Sequence, residues 1–116
     1  MNIKVKISEK KHFGVGETEE LAARVLEHYC QQRFHDTVKT VNRNVRPIFY
    51  YCISLTGMDW QFFRRRWGVC ENTYRHYRSQ GEHLAMKTMR GRRFYVEMMT
   101  LLKTAIRERK FVTLAD

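Results

Sequence analysis

Between Arg64 and Arg93 the chain gathers side chains suited to hydrogen-bonding nucleic acid. Arg64, Arg65 and Arg66 are consecutive; beyond Gly68 follow Glu71, Asn72, Thr73, Arg75, His76, Arg78 and Ser79, and then Arg90, Arg92 and Arg93. Asparagine can pair both amide groups with adenine, arginine can fork onto guanine, and a threonine methyl can meet that of thymine. Arginines beside such residues contact phosphates, which set register without reading sequence. This is recognition chemistry. The acids are scattered, no nucleophile–base pair is visible, and Gly14-Val15-Gly16 lacks the lysine of a phosphate loop, so no enzyme is expected.

Charge placement agrees. The formal net charge is +10, and residues 61–93 carry nine Lys/Arg against Glu71 and Glu82. Most of the excess therefore coincides with the recognition chemistry, as expected for a surface that meets polyanions.

Two short helices must position these groups. Asp59 suits the cap of a helix over 60–67, Gly68-Val69-Cys70 reads as a three-residue turn, and a second helix follows over 71–79. Gly68 stands where positive φ is needed, and Val69 is a small apolar residue under the turn. Phe63 and Trp67 supply apolar contacts from the first helix, Tyr74 and Tyr77 from the second. Over about twenty residues this pattern resembles the prokaryotic helix-turn-helix DNA-binding proteins. The resemblance implies that the exposed face of the second helix, with Glu71, Asn72, Thr73, Arg75, His76 and Ser79, enters a major groove, with Arg78 near its edge. Arg64, Arg65 and Arg66 would hold phosphates. Arg64 departs from the pattern, which has alanine where the helices approach closely; its side chain would have to snorkel outward.

The rest of the chain reads as a mainly α, small helical domain, with short N- and C-terminal strands, as one unit over 1–116. Ile3, Val5 and Ile7 alternate with lysines as in a half-buried strand, and Phe111–Leu114 is a short strand able to pair with residues 2–7. Thr18 begins a helix running to about Phe34, and Asp36 caps a shorter one bearing Val38 and Val41. Pro47 opens an apolar, central helix that Thr56-Gly57 ends. Gly81 is expected to close the motif, which spans 59–80, in the left-handed conformation. The Arg90-Gly91-Arg92-Arg93 break is read as a flexible basic arm, leading to a final helix at about 92–110. There Phe94, Met98, Leu101 and Ile106 form a wide apolar stripe, read as a homodimer seam.

Hydrophobic content of 43% is enough for a core, and no apolar run is long enough for a membrane span. Cys30, Cys52 and Cys70 are odd in number, which points to reduced thiols and the cytoplasm. No Cys-x-x-Cys or His-Glu-x-x-His appears, so neither a metal nor a cofactor is expected. The expectation is a sequence-specific double-stranded DNA-binding protein acting in transcription regulation, a homodimer through the C-terminal helix whose two motifs would address half-sites about one DNA turn apart. The alternatives are an RNA-binding or ribonucleoprotein-associated basic protein, and a protein-interaction adaptor on the same scaffold.

Overall fold

The computed structural model describes residues 3–7 and 11–115. Strand β1 (Val5–Ile7) pairs antiparallel with β2 (Val112–Leu114) in the register Val5↔Leu114, Lys6↔Thr113, Ile7↔Val112. The expected pairing of the two ends is thus present; residues 1 and 2 lie outside the described residues. Between the strands run α1 (Thr18–Phe34), α2 (Arg46–Leu55), α3 (Trp60–Trp67), α4 (Glu71–Lys87) and α5 (Met89–Glu108). The domain is mainly α, as expected. Among the described residues, no helix is long and apolar enough to cross a membrane.

Helix α2 is the centre. Its buried residues, Pro47, Ile48, Phe49, Tyr50, Cys52 and Ile53, face several directions, so the helix needs neighbours around it. Helices α4 and α5 pack against it. Tyr50 stacks on Phe63 of α3, with ring centroids 4.1 Å apart and planes at 12°, and meets Tyr77 of α4 at 5.2 Å. Helix α1 lies along α5, where the Tyr29 hydroxyl donates to Glu97 Oε1 at 2.6 Å and Arg33 Nε donates to the same oxygen at 3.1 Å. Glu97 is buried, and these two donors satisfy its charge.

Three expectations need correction. The segment expected as a helix after Asp36 forms successive turns instead. Thr37 N–H donates to Asp36 Oδ1 at 2.8 Å, and Asn44 N–H donates to Asn42 Oδ1 at 2.7 Å. Side chains that hydrogen-bond the nearby backbone compete with the helical ladder. Val38, Val41 and Val45 still anchor the segment in the core.

Gly81 does not end a helix. It lies buried inside α4, which continues to Lys87. A Cβ there would fall 2.0 Å from the Pro47 carbonyl oxygen and 2.9 Å from Tyr51 Cβ, so the missing side chain lets α4 approach α2.

Nor is there a break or a loose arm at 90–93. The boundary is one residue, Thr88, extended at φ −125°, ψ 144°. Its hydroxyl donates to Leu84 O at 2.6 Å and accepts from Gly91 N–H at 3.0 Å, ending α4 and capping α5. Arg90, Gly91, Arg92 and Arg93 are helical, and a Cβ on Gly91 would meet Leu84 O at 2.2 Å.

Candidate nucleic-acid interface

The α3–turn–α4 unit is built from local signals. Asp59 accepts from Gln61 N–H at 3.0 Å and starts α3. Gly68 ends it at φ +65°, ψ 28°, its N–H donating to Arg64 O at 3.0 Å, the left-handed stop that glycine adopts without steric cost. Trp60 Nε1–H donates to Val69 O at 2.9 Å, tying the start of α3 to the turn beyond its end. Phe63 is buried and packs on Tyr74 at 5.4 Å and Trp67 at 5.2 Å. The apolar residues expected between the two helices do meet there, and Val69 is half-buried.

With Tyr74, Gly81 and Ala85 of α4 turned inward, the opposite side of the helix is open. Asn72, His76, Ser79 and His83 recur at i, i+4, i+7 and i+11 and are all exposed. Arg75 is exposed beside them, its Nη2 donating to Glu71 Oε1 at 2.9 Å. Thr73 is half-buried, its hydroxyl 3.1 Å from the Cys70 sulfur. That contact, with backbone N–H groups at the start of α4, holds the exposed Cys70 thiol below its ordinary pKa. Arg78 is exposed but lies over the Tyr74 ring at 5.7 Å, toward the edge of the face.

The α3 arginines divide. Arg64 is exposed, its guanidinium 5.7 Å from the Trp60 ring, so the departure from alanine is accommodated by pointing outward. Arg65 pairs with Glu19 of α1. Arg66 spans Glu20 and Glu27, both at 2.7 Å, and its pKa is raised, chiefly by the hydrogen bond to Glu27. Trp67 Nε1–H also donates to Glu27, at 3.2 Å. Arg65 and Arg66 therefore tie α3 to α1, and a phosphate would have to compete with these carboxylates for them.

Arg90, Arg92 and Arg93 sit at the far end of α4, in the first turns of α5. Arg90 and Arg92 stack against Phe94 and Tyr95 at 5.6 and 5.7 Å. Three arginines near a helix N-terminus oppose its dipole, so they strengthen the positive field there without stabilising the helix.

Two basic residues with no signal in the sequence, Arg43 and Arg46, belong to the same surface. Arg43 and Arg46 stand across a cleft from His76 and His83 of α4. Arg46 Nη2 donates to Val41 O at 2.9 Å, and its guanidinium lies 5.9 Å from the Tyr77 ring. They are thirty residues or more away in sequence, at and beyond the expected end of the helix after Asp36, and no local pattern links them to α4.

The stripe read as a dimer seam is inside the domain: Phe94, Met98 and Leu101 are buried, and Ile106 is half-buried. Among the aromatic rings near these arginines, Tyr74 is buried and Tyr95 is stacked against Tyr51 at 5.8 Å. Cys30 and Cys52 are buried, and among the described residues no group of three or more His, Cys, Asp or Glu could hold a metal ion. No protein-family model, no curated protein and no solved structure matches this chain.

Proposed function

We propose that the protein binds double-stranded DNA sequence-specifically, as a small transcriptional regulator, with the exposed face of α4 in the major groove. The observation that carries this reading is the two-sidedness of α4. One side is locked to α2 and α3 by Tyr74, Gly81 and Tyr50, while the other presents Asn72, Arg75, His76 and Ser79 to solvent. A rigid helix with base-reading groups on its open side is what direct readout requires. The Gly68 turn supports it by setting α3 against α4, and the exposed Arg64 and Arg78 flank the reading face with positive charge.

The free thiols suit a reducing compartment, and we place the protein in the cytoplasm. The test is selection of a preferred duplex from a randomised pool, followed by titration against that site and a scrambled one. A specificity ratio well above background supports the reading. Equal binding to both sites rejects sequence-specific recognition.

A further inference from the structure

Three adjoining clefts lead from the open side of α4, past Thr88, to the first turns of α5 and the end of α1. The first, about 550 Å³, opens between the 42–45 turn and α4, with Arg43, Arg46, His76 and His83 on its walls. The second, about 230 Å³, shares Asn44 and Leu84 with the first and reaches Arg90. The third, about 470 Å³, shares Arg90 and Phe94 with the second and ends at Arg33 and Arg93. No carboxylate lines any of the three. From His76 to Thr88 the helix rise alone spans about 18 Å, enough for several consecutive phosphates.

A solvated basic surface would be the ordinary account of these arginines, but like charges gathered along clefts without a carboxylate repel one another, and a polyanion relieves that repulsion. Arg65 and Arg66 have found carboxylates, whereas Arg43, Arg90 and Arg93 have no ion pair among the described residues. Arg46 lines the first cleft with its guanidinium held in place by the hydrogen bond to Val41 O. The first turn of α5 adds the positive end of its dipole next to Arg90 and Arg93.

We propose that this groove carries one phosphodiester strand of the duplex whose bases α4 reads. The inference rests on the DNA-binding reading and assigns its backbone contact, which moves from Arg65 and Arg66 to Arg43, Arg46 and Arg90. Phosphates held there would fix the register of α4 in the major groove.

The test measures affinity of the whole protein for a short mixed-sequence DNA duplex between about 50 and 200 mM salt. Arg43→Gln and Arg90→Gln should each flatten the slope of log affinity against log salt by about 0.9, and the double variant by twice that. Both side chains are exposed, so the fold should survive, and circular dichroism checks it. Arg107→Gln, an exposed residue paired with Glu108, is the charge-matched control and should leave the slope unchanged. A double variant that keeps the wild-type slope overturns the groove assignment, whatever α4 does. If the double variant flattens the slope while Asn72→Ala leaves site discrimination intact, the groove stands and the base-reading assignment fails. Tighter binding to an RNA duplex of the same sequence overturns the assignment of the strand to DNA.

Discussion

Gly81 and Pro47 are in backbone contact: a Cβ on Gly81 would lie 2.0 Å from the Pro47 carbonyl oxygen. This contact fixes the height of α4 above α2, and with it how far the exposed face of α4 stands out. Gly81→Ala separates two accounts of this glycine. Helix propensity alone would stabilise the protein by about 1 kcal/mol. The clash predicts a net loss of about 1–3 kcal/mol, because backbone must move to admit the methyl group. Urea denaturation measures the sign.

Gly68 is the converse case. Nothing lies within 4 Å of a Cβ built there, so the cost of substitution comes from its φ of +65°. Gly68→Ala should destabilise by about 1 kcal/mol and Gly68→Asn by less, since asparagine tolerates the left-handed region better. Thermal melts that rank Asn below Ala would contradict a left-handed stop at this position.

Alkaline pH probes the core. Burial pushes the Tyr50 hydroxyl up to about 12, and burial together with Glu97 pushes Tyr29 higher still. Both stay neutral in the folded protein while the unfolded chain ionises. Their contribution is therefore fully present below the unfolded value near 10 and is lost as pH rises through the folded values. Urea midpoints should fall as pH rises above about 10, and Tyr50→Phe should make the fall less steep. A midpoint independent of pH there would contradict the burial of these rings.

Leu101→Glu distinguishes a core from a seam. Leu101 is 1% exposed within its own domain, so the substitution places an unpaired charge in the core. The expected result is global unfolding, seen by circular dichroism. A folded variant with an altered sedimentation coefficient would return Leu101 to a subunit interface.

What the sequence makes legible here is what is decided locally. Asp59, Gly68 and Pro47 act on the backbone within a few residues, and helix starts and the α3–α4 turn fall where their chemistry puts them. The strands were legible because alternation in β1 and the short apolar run of β2 survive as patterns. Gly81 and Gly91 were misread because a glycine needed for close approach looks the same as one needed for positive φ; only the neighbours at Pro47 and Leu84 distinguish them. Arg65 and Arg66 looked available because their partners, Glu19, Glu20 and Glu27, lie about forty residues away and read as ordinary charges of α1. Arg43 and Arg46 were missed for the same reason in reverse: they reach α4 only through the turns that Asp36, Thr37 and Asn42 impose.

The central claim, that the exposed face of α4 reads base edges, is tested most directly by the ratio of affinities for the preferred and scrambled duplexes in Asn72→Ala and Arg75→Ala. Neither residue is buried, so stability should be unchanged within about 0.5 kcal/mol. Each variant is expected to lose about 1–3 kcal/mol on the preferred site, with discrimination relaxed at one base position and scrambled-site binding nearly untouched. Folded variants that bind both duplexes in the wild-type ratio would contradict the account.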